Sequence, residues 1–323
     1  MEKIIRAFLT YYNQIDFRKF QNNFAKEIYD SLVNSYSNQY NEVNMVTEMS
    51  TTIDGKEFQG LKFHTKKIHG TRSFVEFYNQ DRPVTTELAD MVIISVATEN
   101  KEIIYEKIAF VQNKKEDTKE NWKIDQDQLF LLHNFPTFRG KKGIFKHNFS
   151  EEVAFFNYSN SLGNYGFFQS PGEMILITAL TVYKLQLEKK ISLADIRKFS
   201  SYRSSSFNIL TSMEDWFVDE LIYSPSRYNP SYGFDQVGFP FLNNRMISLN
   251  IIEFIRNWTL FNIGELVSLN GKVIDKELSN LNRILLREAG FSNQMNLNVD
   301  ENSLENSLVV VVAHLNLDQV MKN

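Results

Sequence analysis

The stretch that decides the fold runs from Glu87 to Lys114, ELADMVIISVATENKEIIYEKIAFVQNK. Met91–Val96, MVIISV, is a run apolar enough to be buried on both faces of a sheet. The polar turn Thr98–Glu102 follows, and then a second strand, Ile103–Val111, IIYEKIAFV. Asp90 stands where the chain enters the first strand; Gln112 and Lys114 stand where it leaves the second. Side chains alternate along a strand, so Gln112 and Lys114 share a side. A tight hairpin between the two strands brings Asp90 opposite the Gln112 end. A carboxylate, an amide oxygen and an ammonium then converge at one end of a sheet.

Upstream, Phe17, Phe20, Phe24, Ile28 and Leu32 recur at spacings of three and four, which predicts an amphipathic helix over 17–34 with Asp16 as its N-cap. Val43–Met49 and Phe58–His64 flank Asp54-Gly55 and predict a hairpin, and Ser73–Tyr78 predicts another strand. Downstream, 125–134 reads as a short helix stopped by Pro136, with Gly143–Phe149 and Val153–Tyr158 as strands. The order helix, strands, helix, strand gives a mixed α/β class. Near residue 160 the texture changes, with turns at Leu162–Gly166 and Ser170–Gly172. Beyond it, helices are expected at Met174–Glu188, Leu193–Phe199 and Asp275–Ala289, and Ile251–Leu260 is strongly apolar. Leu308–Ala313 is expected to rejoin a sheet. The reading therefore divides the chain into a core, 1–160, and a mostly helical C-terminal part, 161–323.

The composition narrows the function classes. Phe 27 and Tyr 14 mean an aromatic-rich core rather than disorder. Cys 0 removes disulfides and thiolate metal sites. The five histidines show no ligand spacing, and no Gly-rich loop followed by Lys-Ser/Thr suggests ATP hydrolysis. The first twenty residues lack a signal-peptide pattern and no apolar run is of membrane-spanning length, so a cytoplasmic protein without membrane association is expected. A net charge of −4 argues against a protein whose main task is coating nucleic acid, but not against a local basic footprint.

Asp90, Gln112 and Lys114, with Glu87 three residues before Asp90, suit a hard divalent cation. Mg²⁺ prefers oxygen ligands and usually takes one or two carboxylates plus substrate and water. Glu27, on the first predicted helix, is an alternative further carboxylate. Here Glu87-Leu-Ala-Asp90, followed by Ile108-Ala-Phe-Val-Gln112-Asn-Lys114 and a helix, resembles the PD-(D/E)xK nuclease superfamily over about half the chain. The resemblance implies a restriction-endonuclease-like αβββαβ core and hydrolysis of DNA phosphodiester bonds. It further implies Mg²⁺ (or Mn²⁺) held by Asp90, Gln112 and Glu87, with Lys114 positioning the attacking water. Gln112 departs from the usual acidic residue and removes one negative charge. Gln-x-Lys is the form found in some restriction and phage-defence branches, which implies DNA as partner, with a homodimer or a defence-system partner protein as possible assemblies. A non-catalytic nucleic-acid-binding or protein-interaction subunit on the same fold is the alternative.

Two basic clusters flank these residues. Lys114, Lys115, Lys119 and Lys123 follow the second strand, with Glu116, Asp117 and Glu120 partly cancelling them. Arg139, Lys141, Lys142 and Lys146 surround the next turn. Both sets are candidates for tracking a phosphate backbone. His69–Arg72 and Tyr202–Ser206 read equally as polar turns, and Glu173 and Glu265 as helix-start or turn residues without an acid–base partner.

Overall fold

The computed structural model describes residues 2–12, 14–68, 73–116, 120–142, 145–146, 151–155, 161–185, 190–198, 247–291 and 308–320. The protein is mixed α/β. Three helices open the chain: α1 (Glu2–Tyr12), α2 (Ile15–Ser37) and α3 (Glu42–Ile53). The strands β1 (Glu57–Phe58), β2 (Leu61–Ile68), β3 (Phe74–Asn79), β4 (Arg82–Glu87), β5 (Met91–Glu99), β6 (Glu102–Lys115) and β7 (Asn121–Lys123) follow. Next come α4 (Gln126–Asn134), β8 (Phe138–Gly140), β9 (Gly163–Gln169), β10 (Glu173–Thr178), α5 (Ala179–Leu185) and β11 (Lys190–Ser192). The remainder is β12 (Ile247–Ser248), α6 (Ile251–Thr259), β13 (Glu265–Leu269), β14 (Lys272–Val273), α7 (Lys276–Glu288), β15 (Leu308–Asn316) and α8 (Leu317–Val320).

One sheet organises the molecule, in the order β1-β2-β15-β5-β6-β9-β10-β12. β5 and β6 form the expected antiparallel hairpin, with Met91 opposite Val111 and Ile94 opposite Ile108. β15 runs parallel to β5 and antiparallel to β2. The other edge of β6 is shared: β13 pairs antiparallel along Tyr105–Ile108, and β9 pairs parallel along Phe110–Lys115. Strands β4-β3-β8 make a separate small sheet, and β7 pairs with β11.

Both faces of the large sheet are covered, which is why Met91–Val96 and Val309–Ala313 are apolar without alternation. On one face Met91, Ile93, Val111, Val309 and Val311 pack with α1, α2, α3 and α6. Phe63 lies edge-on to Trp258 at 4.8 Å and to Phe24 at 5.0 Å, so aromatic rings from β2, α6 and α2 form the centre of this core. On the other face Val92, Ile94, Phe110, Val310 and Val312 meet α4, α5, α7 and the small sheet.

The structure corrects several expectations. Residues 43–49 are not a strand but the body of α3, capped by Asn41, whose side chain accepts the Asn44 N–H. Met45, Val46, Met49 and Ile53 are the buried face, a helical spacing that competes with the alternation of Val43, Met45 and Thr47. Asp54-Gly55 therefore ends a helix instead of turning a hairpin, and the tight turn lies at Gln59-Gly60, between β1 and β2. Helix α2 starts earlier than expected, with Gln14 at the N-cap and Asp16 inside the first turn. Met174–Glu188 is not one helix: residues through Thr178 form β10, because β9 and β12 offer pairing edges on both sides, and among the described residues of that span the helix is Ala179–Leu185.

Among the described residues beyond 160, strands stand beside the helices α5, α6, α7 and α8. β9, β10, β13 and β15 all join the sheet that holds β2, β5 and β6, so the change in texture near 160 is no break in that sheet. Val153 makes an isolated bridge with Phe138, and residues 145–146 are helical. The rest of the strand expected at Gly143–Phe149, residues 156–158, His69–Arg72, Asp117, Lys119 and Tyr202–Ser206 lie outside the described residues.

Candidate active site

Asp90 is held from both sides by its backbone. Its N–H donates to the Val111 carbonyl at 3.1 Å, and its carbonyl accepts the Val309 N–H at 3.0 Å. This places its carboxylate at the end of the sheet, on the face shared with Gln112. Oδ2 accepts the Asn113 N–H at 2.7 Å and the Gln112 Nε2–H. Burial is the main influence that pushes the Asp90 pKa from 3.8 up to about 6, and the Glu42 charge adds to it. Lys114 and the hydrogen bonds from Asn113 and Gln112 oppose the rise. The result is a carboxylate that ionises near neutrality, a perturbation that concentrates at functional sites.

Gln112 is 3% exposed and spans the site. Its Nε2 faces a carboxylate, which only accepts, so the amide orientation is set by chemistry. Its Oε1 accepts Gln128 Nε2–H at 2.8 Å. Gln128 sits in the first turn of α4, whose N-cap Asp125 accepts the Asp127 and Gln128 N–H groups at 2.9 and 3.0 Å. Leu129, Leu131 and Leu132 bury the helix against the sheet. The sequence thus fixes Gln128 over Gln112 by a cap and an apolar face.

Lys114 projects from the same strand face as Gln112. Its Nζ lies 3.9 Å from Glu42 Oε2. Glu42, in the first turn of α3, also accepts the Lys115 N–H through Oε1 at 3.0 Å. The acidic group that bears on Asp90 is therefore Glu42. Glu87 ends β4 opposite Phe74 in the small sheet and is not among the groups that shift Asp90. Glu27 is engaged elsewhere, in an ion pair with Lys56.

Tyr165, from β9, lies beside Gln112 in register. Its buried hydroxyl has no hydrogen-bond partner, and burial together with the Asp125 and Asp90 charges holds it protonated. The next residue is glycine, and a Cβ at Gly166 would stand 2.4 Å from Asn113 Oδ1 and push that buried amide aside. That absence of a side chain lets β9 close on the end of β6.

The structure thus brings together Asp90, Gln112 and Lys114, three of the residues read from sequence, and adds Glu42 and Gln128. Both additions were hidden by local misreadings: Glu42 by the strand assigned to 43–49, and Gln128 by attention to the apolar residues of α4. An Asn41 cap followed by an acidic first turn was the available signal for the helix. Among the described residues no group of three or more His, Cys, Asp or Glu side chains forms a cation cage. A cation here would rest on Asp90 and Glu42 with neutral oxygens, a donor set that fits Mg²⁺.

The flanking cations separate into two kinds. Lys115 is tied inward, its Nζ donating to the Tyr40 carbonyl at 2.8 Å and lying 5.0 Å above the Tyr36 ring. Arg139 and Lys141 are exposed and share Glu76, with Arg139 Nε at 2.6 Å and Lys141 Nζ at 2.7 Å from its oxygens. Those bonds hold the Glu76 carboxyl below the usual range. Lys142 lies 5.6 Å over the Phe74 ring.

No family model, no curated protein and no solved structure matches this chain. Among the described residues no helix is long and apolar enough to cross a membrane.

Proposed function

We propose that this protein is a metal-dependent nuclease of the PD-(D/E)xK type that hydrolyses DNA phosphodiester bonds. The observation that carries the reading is the convergence of Asp90, at the entry to β5, with Gln112 and Lys114, at the exit of β6, beside Glu42. The element order supports it. With β3, β4, β7 and β8 set aside as additions, helix α3, strands β2, β5 and β6, helix α4 and strand β9 follow in an order compatible with αβββαβ, with β9 parallel to β6 and β15 inserted between β2 and β5.

In this account Asp90 and Glu42 would hold Mg²⁺ or Mn²⁺. The ion, when bound, supplies a water of lowered pKa and a Lewis acid at a phosphate oxygen. Gln112 acts chiefly through its N–H on Asp90 Oδ2, which orients the carboxylate; its own oxygen is turned to Gln128. Lys114 holds the attacking water and offsets the negative charge that builds on the phosphate. Arg139, Lys141 and Lys142 supply exposed positive charge to the DNA backbone, and Glu87, at the end of β4 in the small sheet, is not assigned to the ion. A cytoplasmic role in restriction or phage defence accompanies the Gln-x-Lys form of the site.

The test is nicking or cutting of supercoiled plasmid by the wild type in Mg²⁺, Mn²⁺ or EDTA, with Asp90→Ala as control. The reading expects cleavage only with metal and none in the variant. Cleavage that survives EDTA and persists in Asp90→Ala overturns it.

A second reading, a non-catalytic nucleic-acid-binding subunit on the same fold, is favoured by one feature: the Gln112 oxygen is committed to Gln128. Thermal unfolding with Mn²⁺ separates the two. A rise in Tm that Asp90→Ala abolishes supports the metal site, whereas no rise supports the binding subunit.

A further inference from the structure

Strand β6 carries two adjacent buried charges well away from Gln112 and Lys114. Glu106 is 3% exposed and Lys107 is 1% exposed. Consecutive strand residues face opposite sides of a sheet, so the two do not neutralise each other directly. Burial pushes the Lys107 ammonium down to about 7, and the nearby Glu265 charge works against that shift. Lys107 therefore has its own acidic neighbour.

Glu106 has only neutral partners. Ser268 Oγ donates to its Oε2 at 2.6 Å, and Asn282 Nδ2 donates to its Oε1 at 3.1 Å. Among the described residues no lysine, arginine or histidine forms an ion pair with it. A buried carboxylate without a positive partner is costly.

Two more buried oxygens beside it lack any partner: Asn282 Oδ1 and Ser279 Oγ. Ser279 and Asn282 are three apart on α7 and share its inward face, at 2% and 0% exposure. Ser268, from β13, is 5% exposed. The Glu106 carboxylate thus bridges Ser268 of β13 and Asn282 of α7, with Ser279 on the same buried face of α7, and Leu278, Leu281 and Leu285 of that helix belong to the apolar core. Each unpartnered oxygen can accept from a donor or bind a cation, the Glu106 carboxylate has no cationic partner, and the described residues supply the unpartnered oxygens with neither donor nor cation.

We propose that Glu106, Ser268, Ser279 and Asn282 form a structural binding site for a monovalent alkali cation, Na⁺ or K⁺. One carboxylate balances one positive charge; a divalent ion would leave net charge in the apolar interior, and Mg²⁺ gives up its waters reluctantly. The bound ion fastens α7 and the β13–β14 hairpin to β6, the strand that also carries Gln112 and Lys114. This site stands independently of the nuclease reading.

The test is thermal unfolding of the full chain in NaCl, KCl or choline chloride at matched ionic strength. The variants are Glu106→Gln and Ser279→Ala; the second removes only an unpartnered hydroxyl and so keeps the fold. The wild type is expected to unfold at higher temperature in NaCl or KCl than in choline chloride, with Tm rising with the logarithm of the ion concentration. Both variants are expected to lose most of that increment. Which alkali salt gives the larger rise identifies the ion. Equal Tm in all three salts overturns the proposal in favour of a proton or a water on Glu106. An increment retained in both variants overturns it by placing the cation elsewhere.

Discussion

Replacing Asp90 with Asn should stabilise the protein in the absence of metal, and the size of the effect follows from its surroundings. The Asp90 pKa stands at about 6 in the folded chain against 3.8 for an unperturbed aspartate, with burial the leading cause. At roughly 1.4 kcal/mol per tenfold change in proton affinity, that is about 3 kcal/mol of native-state penalty. Asp90 retains some contact with solvent, so about 2 kcal/mol is the working figure. Asn keeps an oxygen to accept the Asn113 and Gln112 N–H groups and removes the charge that burial and Glu42 disfavour. For a chain of this size the gain is about 3 °C in Tm at pH 8. The pH dependence fixes the cause. Above the folded value of about 6 the native state carries the ionised group and the penalty is whole. As pH falls from there towards 3.8 the native carboxyl takes up a proton before the unfolded chain does, so native stability recovers and the advantage of Asn fades. At pH 5 the advantage should be about half that at pH 8. The assay is thermal unfolding of wild type and Asp90→Asn in EDTA at both pH values. A variant less stable than wild type at pH 8, or one whose gain is the same at both, refutes the reasoning.

Other outcomes follow from the same geometry. Glu42→Gln should weaken Mn²⁺ binding by about tenfold or more, because one of two carboxylates near the ion is lost; a titration followed by calorimetry reads this, and unchanged affinity removes Glu42 from the site. Arg139→Ala with Lys141→Ala should lower the slope of log affinity for duplex DNA against log salt by about 2, measured by fluorescence anisotropy. An unaltered slope would show that these cations, already on Glu76, do not touch phosphate. Gly264→Ala should destabilise the chain by at least ~1 kcal/mol. The residue has φ +90°, and a Cβ would stand 2.5 Å from the Ile108 carbonyl oxygen; chemical denaturation reads the loss.

The β5–β6 hairpin was legible because its information is local. An apolar run, a polar turn and a second run place Asp90 and Gln112 at the same end, and the register agrees. The helices α4 and α7 were equally legible, since a cap and apolar spacing lie within each segment, and α2 was legible by its apolar spacing, although its N-cap is Gln14 and not Asp16. What was not legible depends on distant partners. Nothing near Leu308–Ala313 says that this strand enters between β2 and β5, yet it does, and the Val309 N–H fixes the carbonyl of Asp90. Residues 174–178 take the strand form because β9 and β12 flank them. Glu42 is the instructive omission. Two periodicities fit residues 43–49, and choosing the strand removed from view the helix that carries a carboxylate to Lys114. The basic turn at Arg139–Lys142 was visible as charge, but its partner Glu76 is more than sixty positions away in sequence.

The central claim is tested most directly by comparing wild type and Lys114→Ala for cleavage of supercoiled plasmid in Mg²⁺. Lys114 Nζ lies 3.9 Å from Glu42 Oε2 and its side chain is 18% exposed, so its removal should leave the fold and the Asp90–Gln112 pair in place. The account predicts metal-dependent cleavage by the wild type and at least about a hundredfold loss in the variant, at nearly unchanged Tm. Equal cleavage by the two proteins would contradict it.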